Sequence, residues 1–460
     1  MAILSLILVL SAGGWLLWSG FPVEKPEALV DQKAAQQQRP DAIRETVEGQ
    51  PKGGAGHLVT SIMTKDLQPK QAQATPGTWA TSKTFVKGRY DRLEAVEIHS
   101  DTEAWTRMFP GPICGTTPLV TVDGRTAVLF RDRENKDLCN QVALVNLDTG
   151  EKLWQATFPG GSRLGYTTDP TTVTMTRGVV VITWEGKGVA AYDMRDGKKL
   201  WLREKTQQCN DSGTSGGQAL LVLRACAAAS IDSLEYQAQR IDARTGKVKW
   251  TYKVAKGVKG AFLVSSDPPV LGVGAGDAKI TDLLSLDDEG KYRSTIRLEG
   301  DHYEVKCDVF LIDRCSQVVV SKDQAFITSS EQLESVGEAT NWIVGFSLAT
   351  GRAHVKFDAG SDQMLYPIRM SGDDLLAYKT STDDYAPRSL VSLDPVSGKQ
   401  RVYFYFSVAS ENIGLGYGGD LSDVIVEHGR IFFGALGIKG AGQKGSPLLV
   451  TSGFGIGRAS

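Results

Sequence analysis

The sequence predicts an all-β chain, a β-propeller of four-stranded blades behind an N-terminal membrane helix and a linker. Three observations carry that reading. An octamer recurs along the chain, a second series of apolar runs follows hairpin turns, and beyond residue 84 no amphipathic helix longer than two turns is evident. Fifty glycines in 460 residues, against roughly 7% in average proteins, supply the tight turns such a fold needs.

The opening stretch, MAILSLILVLSAGGWLLWSGF, is free of charge from residue 1 to 21. At about 1.5 Å of rise per residue it is long enough to cross a hydrocarbon core of about 30 Å, so residues 1–21 are expected to be an uncleaved signal anchor. A cleaved signal peptide would want a basic n-region and an A-x-A type exit, and the segment has neither. No cysteine follows it for a lipid anchor. The lack of basic residues ahead of the helix leaves its orientation to other signals and hints at a missing cytoplasmic leader.

Residues 22–83 are rich in Gln, Pro, Ala and Lys, as in QKAAQQQRPD and LQPKQAQATPG, with few aromatics and no sustained alternation. They are expected to form a flexible tether, because such a composition buries too little apolar surface to fold alone. From 84 to 460 the texture changes to short Val/Ile/Leu/Phe runs broken by Gly and Asp-Gly, the pattern of strands and hairpins. Here LDTGEKLW (147–154) is echoed by MRDGKKLW (194–201), ARTGKVKW (243–250) and LATGRAHV (348–355), and more loosely by LDDEGKYR (286–293) and LDPVSGKQRV (393–402). In each copy an apolar strand ends in a reversal whose glycine can take positive φ, and a second strand leaves. Trp154, Trp201 and Trp250 on those second strands are expected to fill the gap between neighbouring blades.

The second series counts DGRTAVLF, RGVVVITW, GGQALLVL, PPVLGVG, KDQAFIT, GDDLLAY and HGRIFFGAL, seven runs against six Gly turns. Repeats of 40 to 50 residues with four strands each are the mark of a propeller. Seven blades are therefore expected, with six and eight as neighbouring counts. The shortfall of one turn implies an N-terminal segment that closes the last blade, since an open edge is a liability. LEAVEIHSDTEAW (93–105) is the expected donor.

The LDTGEKLW unit resembles the PQQ-like (pyrroloquinoline-quinone-like) propeller repeat, an apolar strand followed by a Thr-Gly-Lys turn and a Trp. The resemblance covers residues 93–455 and is strongest around 142–154, 189–201 and 236–250. That repeat occurs in quinoprotein dehydrogenases, in an outer-membrane barrel-assembly lipoprotein and in extracytoplasmic modules of actinobacterial membrane proteins and kinases. The anchor, tether and blade-internal cysteines are most similar to the third setting.

Six cysteines (Cys114, Cys139, Cys209, Cys226, Cys307, Cys315) fall in three sequence-local pairs, none spaced C-x-x-C. Fifteen pairings are open, of which pairing of neighbours is the simplest. Disulfides imply an oxidising compartment, which places the propeller on the extracytoplasmic side of a single-pass cell-membrane protein. The competing reading is six reduced thiols in the cytosol.

A PQQ enzyme, as the resemblance implies, holds a tricarboxylate quinone on the ring axis with Ca²⁺ and an Asp base, and its alcohol-oxidising members carry an adjacent Cys-Cys disulfide. No Cys-Cys occurs here, so no catalytic, cofactor or metal residue is assigned and no cofactor is expected. GTSGG (213–217) matches the nucleophile elbow, but sits between strands and not on a strand-turn-helix. GLGYGG (414–419) matches a dinucleotide loop without the helix it must open. The five histidines (His57, His99, His302, His354, His428) are scattered without metal spacing, and the DD pairs at 287–288 and 383–384 lack the alternating ligands of a calcium loop.

With 51 basic and 53 acidic residues, a net charge of -2, there is no positive field for nucleic acid. The expected function is a non-enzymatic binding or scaffold module, monomeric, for a protein, cell-envelope or small-molecule ligand. The alternatives are the sensory domain of a signalling system and a PQQ-dependent oxidoreductase.

Overall fold

A computed structural model describes residues 39–460 apart from 65–66, 68–70, 101, 133–137, 160–170, 185–187, 228–233, 276–278, 299–301, 309–312, 331, 336–337, 383–385, 410–411, 413–414, 416–421, 441–449 and 459–460. The expected membrane helix, residues 1–21, lies outside them. Among the described residues no helix is long and apolar enough to cross a membrane.

Eight four-stranded antiparallel sheets follow one another along the chain. They occupy residues 78–108, 113–157, 171–204, 209–253, 258–297, 303–358, 363–406 and 422–457, and are numbered here as blades 1 to 8. The first strands of blades 2 to 8 touch one another in order and that of blade 8 touches that of blade 1, as around an axis, and the fourth strand of each blade lies outermost. Second strands are largely covered on both faces and most read as apolar runs. In blade 3 Thr171–Thr176 and Val179–Trp184 are buried at every position.

Eight blades correct the expected seven. The blade overlooked is the first. Its second strand, Thr84–Arg89 (TFVKGR), is wholly buried, yet it carries Lys87 and Arg89 and so imitates the polar tether before it. Its turn, IHSD, also lacks the glycine that marks six of the others.

The ring is closed by an N-terminal strand, but not by the expected one. LEAVEIHSDTEAW supplies the third and fourth strands of blade 1, Arg92–Glu97 and Glu103–Met108. The donor is His57–Thr64, which pairs antiparallel with Val450–Gly457 as the outer strand of blade 8. Residues expected to be tether are thus part of the sheet, and so is Thr78–Ala80, the inner strand of blade 1. The closing strand buries Val59 and Ile62 with Ala80, Phe85, Ile98 and Phe432. The Phe85 and Phe432 rings stack at 5.0 Å across the seam.

Between blades 1 and 5 one contact is repeated. Trp105, Trp154, Trp201 and Trp250 each donate the indole N–H to a backbone oxygen in the next blade's turn, at Leu147, Met194, Ala243 and Asp288 (2.8 to 3.2 Å). Each ring lies on the glycine of that turn. A Cβ at Gly197 or Gly246 would stand 2.8 or 2.9 Å from the Trp154 or Trp201 ring. The same glycines have φ near +70°, so two independent constraints select glycine there.

Candidate functional site

In a propeller the ring axis is where ligands are commonly held, so the inner strands define the candidate site. In blade 6 that strand is split. Tyr303–Glu304 and Val318–Val320 both pair with Gln324–Ser329, and between them Lys306–Cys307 pairs antiparallel with Cys315–Ser316, the base of a hairpin. The insertion therefore leaves from the middle of an axis-lining strand. Arg314, beside its clamped base, donates to the Thr116 backbone oxygen at 2.8 Å and the Thr116 hydroxyl at 3.2 Å. Thr116 ends the inner strand of blade 2, four blades from blade 6 in a ring of eight. The hairpin is a bar across the axis.

Next to Arg314 in the bar, the Asp313 carboxyl is pushed up to about 6 by desolvation, with the guanidinium of Arg314 pulling the other way. On the blade 1 wall, Lys87 is fully buried. Its ammonium donates to the Thr75 and Gly77 oxygens and to the Thr78 hydroxyl (2.5 to 3.0 Å), and Thr78 in turn donates to Asp423 of blade 8 at 2.9 Å. Desolvation lowers the Lys87 ammonium to about 8 although Asp423 opposes the shift. Three acceptors fix its geometry, and the group ties blade 1 to blade 8 instead of facing open solvent.

The face that carries the turns between first and second strands is crossed by a strap, residues 40–48. Ala42 and Arg44 exchange backbone hydrogen bonds with Val122 and Val120 of blade 2, and Asp41 accepts from Gly178 of blade 3. Glu45 accepts from Gln218 of blade 4 at 2.6 Å. Arg44 then reaches Ala80 of blade 1 and Glu427 of blade 8 (2.8 and 3.2 Å). Glu48 closes the span with Arg369 of blade 7 at 2.5 Å. One extended peptide thus touches six of the eight blades, 1 to 4, 7 and 8.

The residues singled out in the sequence distribute as follows. Cys114–Cys139 links the inner and third strands of blade 2, Cys209–Cys226 joins directly paired residues of blade 4, and Cys307–Cys315 clamps the bar. Ser215 ends the inner strand of blade 4 and runs into a turn, without a helix. Asp288 sits in a blade 5 turn, held by Arg240 at 3.0 Å. The pair 383–384 and most of GLGYGG fall outside the described residues. Of the five histidines, His99 and His428 line one cavity, whereas their sequence separation gave no hint of proximity. The strap and Lys87 also escaped sequence reading. PDAIRETVE offers only Ile43 and Val47 as apolar signals, and a buried lysine looks like a surface one in a sequence.

A quinone with three carboxylates needs an open axis, cationic partners around it and a carboxylate cluster for calcium. This axis is crossed by the bar, and among the described residues no group of three or more His, Cys, Asp or Glu side chains is placed to hold a metal. The residues present do not fit the cofactor.

The family model described as outer membrane protein assembly factor BamB matches residues 60–221 and 139–401. The chain belongs to this PQQ-like β-propeller family. Among solved structures, BamB from Moraxella catarrhalis is similar to the PQQ-like chain at 12% identity and a TM-score of 0.47, covering 87% of this chain and 99% of that one. The quinohemoprotein alcohol dehydrogenase ADHIIG from Pseudomonas putida HK5 is similar at 11% identity and a TM-score of 0.48, covering 88% and 77%. Comparison with curated proteins gives no match.

Proposed function

We propose that this PQQ-like propeller is a membrane-tethered, extracytoplasmic binding scaffold for a protein partner, and not a quinone oxidoreductase. The observation that carries the reading is the double closure of the axis, by the disulfide-clamped bar with Arg314 on Thr116 and by the strap from Asp41 to Glu48. A cofactor funnel loses its use when its axis is filled and one mouth is crossed. What remains accessible is the opposite face, formed by the loops between second and third strands and from blade to blade. The family model, named for an assembly factor, favours a protein as the occupant of that face. The apolar stretch 1–21 and the three disulfides support membrane tethering outside the cytoplasm.

The direct test places a photo-crosslinking residue at Gln207, in an exposed blade-to-blade loop, or at Val396, 94% exposed in a turn of the strapped face. In cells, position 207 is expected to trap a discrete partner and position 396 is not. The reverse result overturns the face assignment, and silence at both overturns the scaffold reading. Titration of the full chain with PQQ and Ca²⁺ is expected to give no saturable absorbance change, and saturation with substrate turnover would establish the enzyme instead. Protease added to intact spheroplasts should cleave the chain. Full protection would move the propeller to the other side of the membrane.

A further inference from the structure

Where the strap leaves the turn face it completes a cavity of about 280 Å³ at the seam of blades 7, 8 and 1. Gly49, Gln50 and Lys52 of the strap's continuation form one wall. Tyr403 and Phe404 of blade 7, His428 and Arg430 of blade 8, Arg458 and His99 of blade 1 form the others. Three permanent cations, Lys52, Arg430 and Arg458, therefore converge from separate stretches of the chain, and among the described residues no carboxylate lines the space.

The cations are not consumed by acids. Arg430 donates to the His99 ring nitrogen at 3.1 Å, and Arg458 donates to the Gly53 carbonyl at 3.0 Å. Among the described residues Lys52 has no ion-pair partner. The Glu48 carboxylate lies behind the wall with its side chain almost fully buried, engaged by Arg369 at 2.5 Å and by the Gly429 N–H. Its ion pair is with Arg369, behind the cavity. Desolvation lowers the Arg430 guanidinium from its usual range despite Glu48. Three cations lining one space, with Arg430 partly desolvated, are what an anion site requires.

The chemistry of the missing partner follows from the donors. Two guanidinium forks and an ammonium, approaching from different sides, match a tetrahedral oxyanion better than a planar carboxylate. The volume falls just under the range of about 300 to 1,000 Å³ for organic-ligand pockets, which favours a small group. We propose that this cavity binds a phosphate dianion, either free or as the phosphomonoester end of a larger molecule. The proposal is independent of the scaffold reading, because the site lies on the strapped face.

Calorimetric titration of the full chain at constant ionic strength tests it, with inorganic phosphate, glycerol 3-phosphate and vesicles containing phosphatidate as separate arms. Saturable phosphate binding at a Kd near or below about 1 mM is expected, equivalent to about -4 kcal/mol, with chloride at the same ionic strength producing none. Lys52→Met should weaken it about fivefold and Arg458→Met about tenfold, the latter being a loss of about 1.4 kcal/mol. The Lys52 side chain is exposed and makes no ion pair among the described residues, so its variant keeps the test sound if the arginine variant unfolds. Tighter binding of glycerol 3-phosphate than of inorganic phosphate supports the monoester form, and binding to vesicles alone relocates the source of the phosphate to a lipid. Equal affinity of Lys52→Met and wild type, or no preference of phosphate over chloride, overturns the proposal.

Discussion

Between blades 1 and 5 every junction is made by a tryptophan of one outer strand lying on a turn glycine of the next blade, whereas around blades 7 and 8 the junction is a cluster of phenylalanines. There Phe433 stacks on Phe454 at 4.9 Å and meets Tyr378 edge-on at 5.2 Å and Phe406 at 6.1 Å. Both arrangements exclude water between two sheets. The first uses the same two residues at a fixed spacing and leaves a periodic trace in the sequence, while the second distributes the contact over strands with no common motif. The transition is visible in the turns. Gly351 abuts the Thr295 carbonyl instead of a ring, and Gly398 has nothing within 4 Å of where a Cβ would stand.

The largest loss is expected at the ring closure. Replacing both Val59 and Ile62 by Asp puts two charges where 7% and 4% of the residue surface is exposed. The expected cost exceeds the whole stability of an ordinary domain, about 5 to 15 kcal/mol. Circular dichroism should show loss of the cooperative transition, and a variant that melts normally would mean the ring does not depend on its N-terminal strand. Phe433→Ala, at a fully buried position, is expected to cost about 3 to 5 kcal/mol by denaturant titration, and a loss below 1 kcal/mol would show that the phenylalanine cluster does not hold the second half.

The tryptophan lock is sharpened by a pair of glycine variants. Gly246→Ala meets both a positive φ and the Trp201 ring, while Gly398→Ala meets the same φ in open space. The backbone strain is about 1 kcal/mol in each case, so Gly398→Ala should lose about that much and Gly246→Ala at least twice as much. Equal losses would show that Trp201 yields without cost.

Lys87 provides a pH test across the seam. Its pKa is near 8 folded against 10.5 for the free side chain, so between pH 8 and 10.5 the unfolded chain binds more protons and stability rises with pH. The gain across that window is at most about 3 kcal/mol. It is read as the difference between the wild-type and Lys87→Met profiles of denaturant midpoint, which removes the contribution of other lysines and tyrosines. Parallel profiles would mean that Lys87 stays charged at its ordinary value. Smallest of all should be the effect of Cys307→Ser with Cys315→Ser. It frees a hairpin that lies outside the four-strand ladders and should shift the thermal midpoint less than Cys209→Ser with Cys226→Ser, which opens a loop worth about 3 kcal/mol by the chain-entropy estimate.

How far the fold was legible follows from the same contrast. Trp154, Trp201 and Trp250 could be assigned to blade junctions because a turn glycine recurs 44 to 49 residues apart. Blade 1 could not be counted because its buried strand contains Lys87 and its turn has no glycine. His57–Thr64 could not be chosen as the closing strand because HLVTSIMT is one short apolar run inside a polar segment, and its partner lies at the other end of the chain. The candidate site was less legible still, since nothing about Arg314, Glu48 or Lys52 in isolation marks the residue it meets.

Four strands, a glycine reversal, an aromatic plug and radial repetition are written into the chain locally, because contacts within a blade or with the next one set them all. Only the tertiary structure decided the number of blades, the strand that closes the ring, the bar across the axis and the meeting of His99, His428, Lys52, Arg430 and Arg458. Those outcomes depend on pairings between segments hundreds of residues apart. Such pairings are selected by the closure of the whole ring, and no local propensity or periodicity records them.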